Sequence, residues 1–203
     1  APTAAPASSS ASRPIKVRSA AGLPRPCRAV ILRALQNTRI IKLPNAEIRV
    51  LPDATTLARA AADAFLHAAR EPITATGRFT VALSGGSTPK AIFKLLAHDH
   101  ATGANLLPWD KVQIFFGDER HVPPDHPDSN FRMANETLLS KVSIPAENIH
   151  RIEGELNAAD AAARYESRLR SVCAIAGHAT PRFDLVMLGM GSDGHTASLF
   201  AGS

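Results

Sequence analysis

The fold is decided by residues 79–89, which read FTVALSGGSTP. The first five of them, Phe79–Leu83, are apolar or β-branched and predict a short buried strand. Two glycines follow, and then Thr88 with Pro89, a candidate helix cap and the proline that is common in the first turn of a helix. The stretch therefore predicts a strand that turns sharply into a helix, and this helix runs to about His98.

The same alternation of strand and helix continues on both sides of this unit. Further strands are predicted at 47–51, Val112–Phe116 and 183–188, with an extended piece at 149–152, and helices at 54–70 after the cap Asp53, at 130–142 and at 158–176. Apolar strands separated by helices are typical of a mostly parallel sheet with helices on both faces. The predicted fold class is therefore α/β, doubly wound and Rossmann-like. Ligands of such folds bind beyond the carboxyl ends of the strands, where three unusual loops of this sequence are expected to meet.

The first of these loops, Ser84-Gly85-Gly86, is a candidate anion site. Glycines let the backbone approach a ligand closely, and the following helix presents free N–H groups and the positive end of its dipole. A phosphate suits such a site. The alternative is a tight glycine turn that binds nothing.

The second loop begins Gly117-Asp118-Glu119-Arg120 and carries charged groups. An arginine fork can hold a phosphate at two points, and neighbouring carboxylates can orient the arginine or bind sugar hydroxyls. The alternative is a solvated loop with internal salt bridges. His121 and His126 have no recognised metal-ligand spacing with these carboxylates, so no metal site is predicted.

The third loop, residues 189–196, reads GMGSDGHT and contains the pattern G-x-G-x-x-G. A dinucleotide site needs this pattern in the first βα unit, with an acidic residue about 20 positions later, whereas nine residues follow Gly194. A dinucleotide site is therefore not favoured. Asp193 and His195 are instead predicted to form a functional pair, because an imidazole can take a proton from water near neutral pH. The alternative is a surface histidine without a catalytic role.

Positive charge is concentrated in the first part of the chain. Residues 1–46 hold eight Lys or Arg and no acidic residue, whereas residues 47–203 hold 15 basic and 18 acidic residues, a balance of −3. The body of the protein therefore shows no charge signature of nucleic-acid binding. The first 26 residues are rich in Ala, Ser, Pro and Arg, as in an organellar transit peptide. The alternatives are a disordered tail and an ordered extension that docks on a protein partner, since residues 27–41 place Val30, Ile31, Ala34 and Leu35 on one helical face.

Composition argues against two further classes of protein. No apolar stretch reaches the roughly 18 residues that a membrane-spanning helix requires, so no membrane association is predicted. With Cys27 and Cys173 as its two cysteines, the chain can build neither a disulfide framework nor a four-thiolate zinc site. A reducing compartment is expected.

Three segments together resemble 6-phosphogluconolactonases: 81–89, 116–120 with 122–124 and 129–130, and 184–200. The resemblance covers roughly residues 47–203. Glucosamine-6-phosphate deaminases belong to the same wider family and are similar in fold and in the Asp-Gly-His element. The Gly-Asp-Glu-Arg loop and the continuation Thr-Ala-Ser-Leu-Phe resemble the lactonase branch instead.

The resemblance implies hydrolysis of 6-phospho-D-glucono-1,5-lactone to 6-phosphogluconate in the oxidative pentose phosphate pathway, without a cofactor. It implies that the 6-phosphate is bound by Ser84, Gly85, Gly86 and Arg120 and that the lactone is surrounded by Asp118, Asp193 and His195. In this interpretation His195 activates a water for attack on the lactone carbonyl. A plastid location is preferred to the mitochondrion or the cytoplasm, because Ala and Ser dominate the leader.

The chain departs from the resemblance at its end. Family members usually continue for some tens of residues beyond the Asp-Gly-His element, whereas this sequence stops at Ser203. The domain at 47–203 is therefore expected to lack the C-terminal part of the family fold and to be a poor enzyme by itself. The alternative function is a noncatalytic, lactonase-derived structural subunit, held in a larger organellar complex by residues 1–46.

Overall fold

The computed structural model describes residues 38–104, 106–173, 180–200 and 202. The chain divides between Val50 and Leu51 into two units, and each is described by itself. None of the helices in the described ranges combines the length and the apolar character that crossing a bilayer needs.

The first unit contains a β-hairpin. Strands β1 (Arg39–Leu43) and β2 (Ala46–Val50) are antiparallel, with a turn at Pro44 and Asn45. The strand predicted at 47–51 is confirmed, but it begins and ends one residue earlier. The domain boundary predicted between residues 46 and 47 therefore falls inside β2. The helical face predicted over 27–41 is wrong for residues 39–41, because β-branched isoleucines before a Pro-Asn turn favour a hairpin strand. Its apolar residues at 30–35 lie outside the described residues.

Helix α1 (Ala54–Thr76) opens the second unit. Its cap is the predicted Asp53, whose carboxylate accepts a hydrogen bond from the Thr56 N–H at 2.7 Å. The helix runs to Thr76 rather than to residue 70, with Pro72 inside it. It ends at Gly77, which has φ 76°, the left-handed conformation that glycine adopts without strain.

Among the described residues of the second unit, three parallel strands form a sheet in the order β4-β3-β5. They are β3 (Phe79–Leu83), β4 (Val112–Phe116) and β5 (Leu185–Val186), and Ile149 adds a parallel bridge to Ile114. The predicted bounds of β3 and β4 are confirmed. β5 is shorter than the predicted 183–188, and at its start the Asp184 carboxylate accepts from the Thr80 N–H at 2.7 Å and from the Thr80 hydroxyl at 2.8 Å. The Asp184 side chain thus accepts a hydrogen bond from the β3 backbone, as a backbone carbonyl of a neighbouring strand would otherwise do.

The remaining helices are α2 (Ser87–Ala101), α3 (Asn130–Thr137) and α4 (Ala158–Cys173), with 3-10 turns at Trp109–Lys111, Leu139–Lys141 and Ala146–Asn148. Thr88 is not the cap of α2, because the helix already begins at Ser87 and Gly86 occupies the cap position. α3 ends before the predicted residue 142, because the backbone leaves the helical region at Leu138, with φ −140°. The predicted end of α4, residues 174–176, lies outside the described residues.

Alternate side chains of β3 enter two separate apolar clusters. Val81 belongs to the cluster that contains Phe65 of α1, while Ala82 belongs to the cluster of Phe115 and of Cys173 in α4. Because successive side chains of a strand point to opposite faces, helices cover both faces of the sheet. The doubly wound α/β class is confirmed.

Candidate active site

The glycine turn after β3 and the first turn of α2 form one wall of a cleft. Gly86 has φ 106°, a conformation that a side chain would strain, and Gly85 lies so close to the Asn130 carboxamide that a Cβ would overlap with it. The backbone itself therefore forms the surface here. Because the first N–H groups of a helix lack acceptors within the helix and its dipole is positive at this end, this wall favours an anion.

The two neighbouring carboxylates after β4 have different partners. Glu119 accepts hydrogen bonds from the N–H groups of Asn130 at 2.7 Å and Phe131 at 2.9 Å, and from the Ser129 hydroxyl at 3.1 Å. It closes the N-terminus of α3, next to the cap residue Ser129. Glu119 therefore has a structural task, which the sequence did not reveal, and Asp118 is the carboxylate that lines the cleft.

The Asp118 carboxylate is held by two donors. Asn130 Nδ2 donates to Asp118 Oδ1 at 3.3 Å and to the Asp118 backbone carbonyl at 3.2 Å, and Ser198 Oγ donates to Oδ2 at 2.8 Å. Ser198 lies two residues beyond the third loop, which carries His195. Asp118 thus joins the second predicted loop to the residues that follow the third at the cleft.

Arg120 lines the same cleft and is exposed. In the part of the chain that the structure describes, its guanidinium forms no ion pair. Its backbone carbonyl packs against Gly154, where a Cβ would overlap with it. The next residue, His121, contacts the carbonyl of Leu156 through Nε2 at 2.8 Å. Residues 154–156 therefore support the loop from behind and leave the guanidinium available to a ligand.

His195 and Asp193 form a hydrogen-bonded pair, with 2.5 Å between the imidazole Nδ1 and the carboxylate Oδ1. Because a carboxylate only accepts, Nδ1 carries the proton of the neutral ring and Nε2 keeps a free lone pair. The hydrogen bond from His195 holds the pKa of the Asp193 carboxyl below its ordinary value. Gly191 lies so close to both side chains that a Cβ would overlap with them, and the Phe200 ring stacks on the imidazole with 4.8 Å between centroids. The ring is thus held in one orientation.

Most of the predicted site residues meet in one cleft of about 260 Å³. The predicted residues that line it are Ser84, Gly85, Gly86, Asp118, Arg120 and His195, and Asp193 binds His195 without lining the cleft. Asn130 and Ser198 are not among the predicted site residues, although both lie in the motifs that carry the family resemblance, Asn130 in Ser129-Asn130 and Ser198 in Thr-Ala-Ser-Leu-Phe. Within the described residues, no three His, Cys, Asp or Glu side chains are grouped as a metal ion requires.

A larger cavity, about 540 Å³, lies between α4 and the segment that follows Ile149. It contains none of the predicted site residues. Burial lowers the pKa of its residue His150 to about 4, and burial raises the pKa of Tyr165, so both groups are uncharged at neutral pH. Both are also hydrogen-bonded within the protein, His150 to Gln113 and Tyr165 to the backbone of Phe116. The smaller cleft is therefore the better candidate for the active site.

Residues 52–203 match the family described as Glucosamine-6-phosphate isomerases/6-phosphogluconolactonase. The 6-phosphogluconolactonase of Nostoc sp. is 49% identical over 154 residues, which are 75% of this chain and 62% of that protein. A probable chloroplastic 6-phosphogluconolactonase of Oryza sativa subsp. japonica is 44% identical over 140 residues, 65% of this chain and 41% of that protein. The crystal structure of 6-phosphogluconolactonase from Thermotoga maritima has a TM-score of 0.63 at 35% identity and covers 74% of this chain. The chain spans 41% to 62% of the length of these three relatives.

Proposed function

The chain belongs to the glucosamine-6-phosphate isomerase/6-phosphogluconolactonase family, and from this premise we propose that it hydrolyses 6-phospho-D-glucono-1,5-lactone to 6-phosphogluconate. The observation that carries the proposal is the shared cleft, in which an imidazole with a free Nε2 lies together with the glycine turn and Arg120. One group can take a proton while the others hold a phosphate. The reaction is a step of the oxidative pentose phosphate pathway.

The 6-phosphate is proposed to bind at the turn Ser84-Gly85-Gly86. The two glycines have no side chains, so a phosphate can contact the backbone directly. The N-terminus of the 15-residue helix α2 adds the positive end of its dipole to this site. Arg120 supplies a full positive charge and a fork that matches two phosphate oxygens. This end of the cleft therefore selects a phosphorylated sugar, and the lactone ring extends toward His195.

His195 is the proposed general base. Its Nε2 takes a proton from a water molecule while the water oxygen bonds to the lactone carbonyl carbon, whose π electrons move to the carbonyl oxygen. Local N–H groups and cationic side chains stabilise the resulting oxyanion. The oxyanion then collapses, the ring C–O bond breaks, and the leaving ring oxygen takes the proton back from His195. One water is added, and the product acid ionises at neutral pH.

The two aspartates have separate proposed roles. Asp193 keeps the Nδ1 proton of His195 in place and stabilises the imidazolium that forms when Nε2 is protonated. Asp118 faces the cleft and accepts hydrogen bonds from the sugar hydroxyls that surround the lactone. No cofactor is needed in these steps, since they consist of proton transfer and the addition of water.

The noncatalytic structural subunit is not favoured as an alternative. The relatives from Nostoc and rice and the Thermotoga structure are all named as lactonases. The pair of His195 and Asp193 also keeps the geometry of a general base, which a purely structural subunit would not require.

The proposal is tested by the substitution His195→Ala. Turnover of the phosphorylated lactone should fall by about 10²–10⁴-fold, because the general base is lost. The assay follows formation of 6-phosphogluconate and subtracts spontaneous opening of the lactone. His67→Ala is a matched control, since His67 is exposed on α1 and does not line the cleft. Turnover near that of the unsubstituted chain, with the fold intact by circular dichroism, would contradict the role given to His195.

A plastid location is a further part of the proposal. It is supported by the eight basic and no acidic residues at 1–46, and by the chloroplastic name of the rice relative. A fluorescent protein fused behind residues 1–46 should enter plastids of plant cells. The same fusion with the eight basic residues replaced by Gln should remain in the cytosol. Cytosolic or mitochondrial fluorescence of the unsubstituted fusion would contradict the plastid location.

A further inference from the structure

Asn130 lies where the first and second loops meet. It is the first residue of α3, it is 5% exposed, and its backbone N–H donates to Glu119 Oε1 at 2.7 Å. The backbone of Asn130 is therefore held by the same carboxylate that closes the helix. Its side chain lines the cleft without taking part in that helix cap.

The orientation of the Asn130 carboxamide follows from the chemistry of its neighbours. The two Asp118 atoms that it contacts, Oδ1 and the backbone carbonyl oxygen, both accept hydrogen bonds, so the amide nitrogen must face them. The amide oxygen is then the atom that lies against Gly85, where a Cβ would overlap with it. The carboxamide thus fills the space between the glycine turn and Asp118.

The second contact of Asp118 fixes the position of its other carboxylate oxygen, Oδ2. Ser198 Oγ donates to Oδ2 at 2.8 Å, and Ser198 lies three residues after His195 in the chain. With Asn130 on one oxygen and Ser198 on the other, the plane of the carboxylate is fixed relative to both the glycine turn and the imidazole. A carboxylate held at only one oxygen could rotate away from a bound sugar.

We propose that Asn130 is a positioning residue, which acts on the lactone through Asp118 by holding that carboxylate in place. The inference rests on the proposed lactone hydrolysis. It assigns Asn130 no direct step in the reaction. Its carboxamide instead keeps the phosphate end and the lactone end of the cleft at a constant separation, because it touches Gly85 at one end and Asp118 at the other.

A double-mutant cycle separates this role from a merely structural one. Asn130→Ala should lower kcat/KM about 10-fold, as expected when a donor to a charged acceptor is lost. In the Asp118→Ala background the same substitution should cost less than about 2-fold, because the carboxylate through which Asn130 acts is already absent. An equal loss in both backgrounds would overturn the proposal. Asn130→Asp, which keeps the volume but removes the donor, should lower kcat/KM at least as much as Asn130→Ala, and an unchanged kcat/KM would again overturn it.

A second measurement does not depend on activity. Hydrogen–deuterium exchange of the segments 84–88 and 117–122 should become faster in Asn130→Ala, because both loops lose the group between them. Exchange in α1 should be unchanged. Asn135→Ala, on the same helix but outside the cleft lining, is the matched control and should alter neither loop. If the unsubstituted chain does not hydrolyse the lactone, the proposed function fails, yet unchanged exchange of both loops would still be the result that overturns the role of Asn130.

Discussion

Replacement of Arg120 by alanine should separate phosphate binding from the chemical step. Arg120 lines the cleft beside the glycine turn and forms no ion pair with any described residue, so its charge is not already committed to a carboxylate. A charge-assisted hydrogen bond contributes about 1.5–3 kcal/mol, which corresponds to about 10- to 100-fold in binding. Because the side chain is exposed, water screens the contact and the lower part of this range, about 10- to 30-fold, is expected.

The assay compares two substrates, 6-phosphogluconolactone and the unphosphorylated gluconolactone. KM for the phosphorylated lactone should rise by about 10- to 30-fold in Arg120→Ala, while kcat changes by less than about 3-fold. The slow hydrolysis of the unphosphorylated lactone should not change, because it has no group for Arg120 to bind. Arg120→Lys keeps the positive charge but lacks the planar guanidinium, so its KM for the phosphorylated lactone should lie between those of the unsubstituted chain and Arg120→Ala.

Arg70→Ala is the control for loss of an exposed positive charge, since Arg70 lies on α1 and does not line the cleft. The reasoning is refuted if Arg120→Ala lowers kcat/KM equally for both lactones. Such a result would mean that Arg120 supports the structure of the loop and does not bind the phosphate.

Three further substitutions test other contacts of the second unit. Asp193→Asn should lower kcat about 10- to 100-fold with little change in KM, because the amide no longer fixes the Nδ1 proton of His195, and an unchanged kcat would refute the pairing. Glu119→Gln should destabilise the protein by about 2–3 kcal/mol, or roughly 5–10 °C in Tm, because one of the two oxygens that accept from α3 N–H groups becomes an NH2 donor and the negative charge is lost. A shift below about 1 °C in thermal unfolding would contradict the cap. Burial lowers the pKa of His150 to about 4, so the folded ring stays neutral while the unfolded chain takes up a proton below about pH 6.5, and stability should fall between about pH 6.5 and 4 by up to about 3 kcal/mol. In His150→Phe, the free energy of unfolding, measured with urea at pH 7 and at pH 5, should no longer show this part of the pH dependence. An equal difference between the two pH values in both proteins would show that another group is responsible.

Local sequence was sufficient for the elements on which the site is built. The bounds of β3 and β4 and the cap Asp53 could be predicted because each depends on residues close in the chain: a run of apolar side chains, or an aspartate three residues before the N–H that it accepts from. The meeting of the three loops was predictable as well, since parallel strands bring their carboxyl ends to one edge of a sheet. Their glycines, Arg120 and His195 follow those strands in the sequence.

Tertiary structure decided what the neighbouring polar side chains do. Asp118 and Glu119 are adjacent carboxylates that no local pattern distinguishes, and only the placement of α3 shows that Glu119 closes the helix while Asp118 faces the cleft. The contact of Ser198 with Asp118 joins residues 80 positions apart, and that of Asp184 with Thr80 spans 104 positions. Periodicity and turn chemistry report on neighbours within one or two turns of chain, whereas the partner of a hydrogen-bonding side chain depends on which distant groups the packed sheet and helices bring within about 3 Å of it.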